Sequence, residues 1–297
     1  MEIDRIWRDL AFLADQPRFA ESPRLKQCRE YCGQQLEDAG WTVTEQSFEQ
    51  IGADGRTWQG VNLVASFGGV AAEQTARTFL VVGAHLDSKP ETPGADDNAS
   101  AVAVLLELAR QLPACLNAES RIVPELVVFD LEELGMLGGA FHAAQCRAAE
   151  RKLHGMISLE MLGYCDPRDG SQQIPLPLAG KYPDVGNFIA IVGNQNSTSL
   201  IDEWKSAFLT VPELPVESLE VPENGRLLPP TRLSDHSPFW DEGYPALMLT
   251  DTSFLRNPHY HQPSDTIDTL NREFLHRVAR GTLAAVCRSL ATAPANL

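Results

Sequence analysis

Short apolar runs alternate along this chain with longer stretches in which apolar residues recur every three or four positions. The first pattern predicts buried strands and the second amphipathic helices. Ile6, Trp7, Leu10 and Leu13 mark a helix over residues 3–14, and a second helix runs from about 23 to 39, ended by Gly40. Residues 41–44 read as an edge strand and 61–67 as another. The run Phe79-Leu80-Val81-Val82 predicts a fully buried strand, followed by a helix opening at Ala99 or Ser100 with Val102, Leu105, Leu106 and Ala109 on its apolar face. Further strands are expected at 125–129, 153–159, 188–192 and 245–249, and further helices at 136–146, 197–208 and 271–290. Two stretches rich in Pro and Gly, 166–184 and 211–232, read as long irregular loops of the kind that often carry function. Strands alternate with helices and no internal repeat or composition break is visible. The expected fold is therefore α/β, a mixed, mainly parallel central sheet with helices on both faces, in a single domain over residues 1–297.

Composition narrows the function. Forty-three per cent of the 297 residues are hydrophobic, enough for a sizeable core, and the formal net charge is −16. That balance argues against nucleic acid or an anionic membrane as partner. It suits cation binding, although most of the acidic residues are expected on solvated surface. Six cysteines are present; Cys28 and Cys32 lie one helical turn apart, poor geometry for a disulfide, and no Cys-x-x-Cys pair suggests a thiolate metal site. Free thiols are expected. The first residues lack the continuous apolar segment of a signal peptide and no run reaches membrane-spanning length, so a cytoplasmic protein is expected.

The chemistry collects at strand ends. In an open α/β sheet a site is expected beyond the carboxyl ends of the strands. One strand delivers His85 and Asp87, with Asp96, Asp97 and Asn98 in the loop beyond. The next delivers Glu132 and Glu133, the next Glu160, and the last leads to His259 and His261. Singly, such residues are usually helix caps, turns or solvated surface. Jointly they crowd like charges at one edge, which repel strongly without a cation. Two histidines and three carboxylates suit a pair of zinc ions that share one bridging carboxylate.

The motifs HLDS (85–88), GADDNAS (94–100), DLEELGMLGG (130–139), SLEMLGY (158–164), SDHSPFWDEGYPA (234–246) and PHYHQPSDT (258–266) resemble those of the zinc-dependent exopeptidases that include bacterial leucyl aminopeptidases, glutamate carboxypeptidase and glutaminyl cyclase. The resemblance covers about residues 20–290 and implies the zinc-exopeptidase sheet architecture with two Zn2+ per chain. By resemblance, Asp96 bridges the two metals, His85 and Glu160 complete one site, and Glu133 and His261 complete the other. Asp87 orients His85, and Glu132 is the general base. A non-proline cis peptide is implied at Asp96–Asp97. Family spacing selects His261 over His259 as ligand and leaves His259 as a substrate contact. Asp235 and His236 are either the cap and first turn of a helix or pocket residues. Arg232, with Arg226 and Arg256, lies in a candidate pocket loop where a carboxypeptidase would need a cation. The activity implied is an aminopeptidase acting on short peptides. Rivals are a carboxypeptidase, a glutaminyl cyclase (which works with a single zinc) and a non-catalytic binding protein on this fold.

Overall fold

The computed structural model describes residues 1–67, 77–116, 120 and 122–291. The helices are α1 (Ile3–Leu13), α2 (Pro23–Asp38), α3 (Ala101–Gln111), α4 (Leu137–Ala148), α5 (Thr198–Phe208), α6 (His236–Asp241) and α7 (Arg272–Ala291). The strands are β1 (Trp41–Ile51), β2 (Thr57–Phe67), β3 (Thr78–His85), β4 (Ile122–Phe129), β5 (Lys152–Glu160), β6 (Ile189–Asn194), β7 (Val216–Val221) and β8 (Ala246–Thr250). They form one sheet in the order β1-β2-β4-β3-β5-β8-β6-β7. Strands β4, β3, β5 and β8 are mutually parallel, as are β6 and β7, whereas β1, β2 and the β6–β8 pair are antiparallel.

Local chemistry explains the element boundaries. The Ser22 hydroxyl accepts the Leu25 amide at 3.1 Å and Pro23 occupies the first turn, so α2 starts there. Every residue of β4, and every residue of β3 but the first, is buried, as continuous apolar runs covered on both faces require. Helices α1, α2, α3, α5 and α7 contribute to the core on one face. Helices α4 and α6 contribute to a smaller core on the other. From β3 the chain crosses through α3 to β4, then through α4 to β5 on the far side of β3. Right-handed crossovers in opposite directions place those two helices on opposite faces. The strand order therefore reverses at β3, where a crevice opens beyond the carboxyl ends.

Two departures from expectation have physical causes. β1 runs to Ile51 instead of stopping at Thr44, because the antiparallel register from Trp41↔Phe67 to Ile51↔Thr57 satisfies its backbone through a polar stretch. The segment 211–232 is not wholly irregular. Between Pro215 and Pro222 the sequence VESLEV forms β7, an edge strand paired with β6 alone, and the prolines bound it without interrupting it. All six cysteines are free, Cys115 being exposed. No described helix is long and apolar enough to cross a membrane.

One buried charge cluster ties β4 to α4. Arg151 donates to both oxygens of Glu125 at 2.9 Å, and His142 meets Glu125 Oε1 at 3.2 Å through Nε2 and Gln46 Oε1 at 3.0 Å through Nδ1. Burial opposes charge on both titrating partners. The His142 and Arg151 cations nevertheless hold Glu125 down to about 2. Cys146 and Glu125 raise His142 to about 9. The sign follows from linkage. The Glu125 contribution is present above its unfolded pKa of about 4.3 and is lost as pH falls towards 2. The His142 contribution is present below about 6.5 and is lost as pH rises through about 9. Denaturant unfolding should thus show stability falling between pH 7 and 10 by on the order of 2 kcal/mol from this group. In His142→Gln that part of the alkaline slope should vanish; an unchanged slope would refute the assignment.

Candidate metal centre and active site

The carboxyl end of β3 carries His85, whose imidazole is buried. Its Nδ1 lies 3.1 Å from the Asp87 carbonyl and 3.5 Å from Asp87 Oδ1, so Nε2 faces the crevice. Asp87 does more than orient this ring. Its two oxygens accept the backbone amides of Glu132 and Glu133 at 3.0 and 3.1 Å, locking the β4 loop to the β3 loop. The loop between is fixed from beneath by Arg18, which is fully buried and donates to the carbonyls of Leu13, Leu86, Pro93 and Gly94. Gly94 has φ 63°, and a Cβ there would lie 2.2 Å from the Asp97 carbonyl, so only glycine fits.

The turn after Gly94 decides which aspartate faces the crevice. Asp97, not Asp96, lies between the histidines. Asp97 Oδ1 is 3.3 Å from His85 Nε2, and Oδ2 is 3.1 Å from His261 Nε2. Asp96 points the other way. It accepts the Gly163 amide at 2.9 Å and the Asn257 side chain at 2.7 Å, and it is buried against Asp251. Burial and the nearby Asp96 push Asp251 well above the carboxylate range, while burial raises Asp96. The non-proline cis peptide lies correspondingly at Asp97–Asn98 and not at Asp96–Asp97.

Two groups of donor atoms result, His85–Asp97–Glu160 and Asp97–Glu133–His261, with Asp97 common to both. Glu160 Oε2 is 3.6 Å from His85 Nε2, and Glu133 Oε2 is 3.2 Å from His261 Nε2. Donors around a tetrahedral zinc at about 2.0–2.1 Å lie roughly 3.3 Å apart, so both sets fit a metal of that kind. Glu133 Oε1 is buried without a hydrogen-bond partner, as expected of an atom reserved for a cation. Ser234 donates to Glu160 at 2.7 Å and Lys89 pairs with Glu133 at 3.0 Å. Glu132 belongs to neither group. Its Oε2 is 3.9 Å from His85 Nε2 and its side chain is 14% exposed, open to the crevice.

Electrostatics reflect the crowding. Burial would lower the pKa of His85, yet Glu160 and Glu132 outweigh it and raise it well above the ordinary value. His261 is raised to about 9 against burial by Asp97 and Glu133. Asp97 is held below the carboxylate range, burial notwithstanding, by hydrogen bonds from those two histidines. Glu132 is pushed well above it by burial and by Glu160, Glu133 and Asp235, with His85 opposing.

The crevice opens into a cavity of about 310 Å³, floored by Thr250, Ala190, Val192 and Met248 and walled by the 166–184 and 211–232 segments, with Tyr260 stacked on His261 at its rim. Four residues expected as substrate contacts do not line it. Asp235 is buried behind the cluster at the start of α6, where its carboxyl is raised to about 8 by burial and by Glu160 and Asp87. His236 bonds to the Thr231 carbonyl at 2.9 Å and packs edge-on against Trp240, and burial drives its pKa down to about 3. His259 is engaged with Ser264 at 2.9 Å. Arg232 is spent on the Asn224 carbonyl and Asp241. Conversely, Asp265 was not expected in the site. It accepts the amides of Asp96 and Asp97 at 2.9 and 3.1 Å and so positions the shared carboxylate. Its place in the PHYHQPSDT motif, four residues after His261, was the available signal.

A sequence model of Peptidase family M28 matches residues 62–286. The uncharacterized protein YfbL of Escherichia coli is 36% identical over 288 residues, covering 92% of this chain and 83% of its own length. Aminopeptidase YwaD of Bacillus subtilis is 28% identical over 213 residues, covering 70% of this chain, which spans only 40% of YwaD. Among solved structures, the LapA aminopeptidase of Legionella pneumophila superposes with a TM-score of 0.74 at 19% identity, over 98% of this chain and 72% of that one. The glutaminyl cyclase of Porphyromonas gingivalis does so at 0.69 and 20% identity, over 96% and 97%. These structural likenesses extend the agreement in fold to the whole mixed sheet. The family match runs from β2 to α7 and takes in every strand end that delivers a donor atom. The chain is a metallopeptidase and belongs to peptidase family M28.

Proposed function

We propose that the chain is an aminopeptidase, a single catalytic domain that holds two zinc ions and removes amino-terminal residues from short peptides. The observation that carries this reading is the Asp97 carboxylate, shared between two ligand groups at the closed end of a largely apolar cavity. His85 and Glu160 would hold one ion, His261 and Glu133 the other, with Asp97 between them. When bound, such ions polarise a carbonyl and lower the pKa of water.

The protein's own groups do the rest. Glu132 belongs to neither ligand group and faces the crevice with Oε2 3.9 Å from His85 Nε2, placed to take a proton from the attacking water and return it to the leaving amine. Asp87 fixes both the Glu132 backbone and the His85 ring, so base and ligand keep their relative geometry. Lys89 is the one lysine that lines the cavity among the described residues, and it is paired with Glu133, so it is not free to hold a terminal carboxylate. No arginine lines the cavity among the described residues, which leaves a carboxypeptidase without its clamp. Two complete ligand groups favour hydrolysis over single-zinc cyclisation.

Three outcomes test this. Metal analysis of zinc-loaded Asp97→Asn should find both ions lost, whereas Asp96→Asn should retain most of its metal; the reverse pattern would restore Asp96 as the bridge. Glu132→Gln should keep its metal while kcat falls by about 10²–10⁴-fold, and near-normal turnover would remove Glu132 as base. Mass spectrometry of a peptide mixture should show single residues lost from free amino ends. N-acetylation or a chelator should abolish the loss, and zinc should restore it after chelation. Loss from carboxyl ends, or of ammonia from amino-terminal glutamine, would move the assignment to a carboxypeptidase or a cyclase.

A further inference from the structure

The far end of the cavity carries one charged group that the reaction does not use. Glu217 lies on β7, whose side chains alternate between two faces. Ser218 and Glu220 turn towards α5, where they meet Lys205 and Thr198. Glu217 and Leu219 turn the other way, into the cavity. There Glu217 is half-buried, and among the described residues no Lys, Arg or His pairs with it. The neighbouring Tyr182 hydroxyl is committed to the Ser218 carbonyl at 2.9 Å.

Sheet register fixes where Glu217 stands relative to the reacting centre. Glu160 is paired with Thr250, Thr250 with Ala190, and Ala190 with Glu217. These four residues form one row across the sheet, and all four line the cavity. Three strand spacings put about 14 Å between the two glutamate Cα atoms. Between them the row carries only Ala190 and Thr250, so nothing bulky stands between the two glutamates. Val192 and Met248 flank the row on the floor, and Phe188, Leu219 and Leu228 supply apolar walls. A carboxylate at the end of an apolar channel loses hydration and gains from a cation brought to it.

We propose that this cavity selects an amino-terminal lysine or arginine, whose side-chain cation meets Glu217 while its α-amine lies at the Glu160 end. This rests on the aminopeptidase reading. An extended lysine or arginine, with about 3 Å of charged contact at each end, spans on the order of 12 Å, which matches the row. The methylene stem lies over Ala190 against the apolar walls, and the head reaches the Glu217 carboxylate. Norleucine, with a similar stem and no charge, is the matched control.

The experiment measures kcat/KM of the zinc-loaded protein on lysyl, arginyl, norleucyl, leucyl and glutamyl p-nitroanilides. Calorimetry of free L-lysine and L-norleucine binding runs in parallel. Lysyl and arginyl substrates should exceed norleucyl by about tenfold or more, as a charge-assisted contact implies. Glu217→Gln should lower them by about 10–100-fold and leave norleucyl within about twofold, which also shows that the variant is folded. The tighter binding of lysine should disappear in the same variant. Norleucyl or leucyl preferred in the wild type, with Glu217→Gln changing all substrates alike, would overturn the proposal and leave the aminopeptidase reading intact. No hydrolysis of any amino-terminal substrate would sink that reading instead, and lysine binding unaffected by Glu217→Gln would still sink this one.

Discussion

The structure depends on one electrostatic constraint: four carboxylates and two imidazoles crowd a partly buried crevice at the end of three parallel strands. In a medium of low polarity such a cluster is tolerable only if protons or cations neutralise it. Much of the surrounding architecture holds it together. Asp87 binds two amides of the β4 loop, Asp265 binds two amides of the β3 loop, and the Asn98 side chain bridges Leu159 and Met161 around the end of β5. Each of these acceptors takes backbone donors that a coil would otherwise leave without partners in the interior. Loops that must be irregular to present ligands are thereby made as determined as the strands that precede them.

Topology supplies the rest of the positioning. Because the order of strands reverses at β3, the loops after β3, β4 and β5 converge from both sides on one crevice. The antiparallel β6 then runs back past β8, and β7 extends the sheet beyond it. Glu160 and Glu217 therefore lie along one row of one sheet. The spacing between them is a multiple of the strand separation and not a property of any flexible loop.

The alternation of strands and helices, the mixed sheet and the convergence of His85, Glu133, Glu160 and His261 were legible in the chain because each rests on a local signal. An apolar run ends, and a polar residue stands at its end. What was not legible depended on geometry beyond the local pattern. Asp96 and Asp97 are chemically identical neighbours, and only the left-handed turn at Gly94 with the bonds to Asp265 decides which faces the crevice. The buried arginine at position 18 carries no local mark of its partners, which lie as far as 76 residues away. His236, His259 and Arg232 resemble site residues in composition, yet each is consumed by its own surroundings, and Asp235 is buried behind the cluster with no hydrogen-bond partner on either oxygen; sequence spacing encodes neither outcome.

Strand β7 was hidden for a related reason. Its six residues lie between prolines and include three apolar side chains, no two of them adjacent, a pattern that reads as loop when strands are sought as apolar runs. An edge strand needs backbone pairing on one side only, so prolines at its ends cost it little. The same mixture of polar and apolar residues that weakened the signal gives the strand its use. One face of β7 joins the core through Val216, and the other brings Glu217 and Leu219 to the cavity. A segment that packs too few apolar groups to announce itself as structure is therefore free to carry charge into a pocket. Parallel register with β6 then decides how far that charge stands from Glu160. Selectivity built this way is set by the pleat and spacing of the sheet, so it should survive changes in the flanking loops that leave the β6–β7 pairing in place.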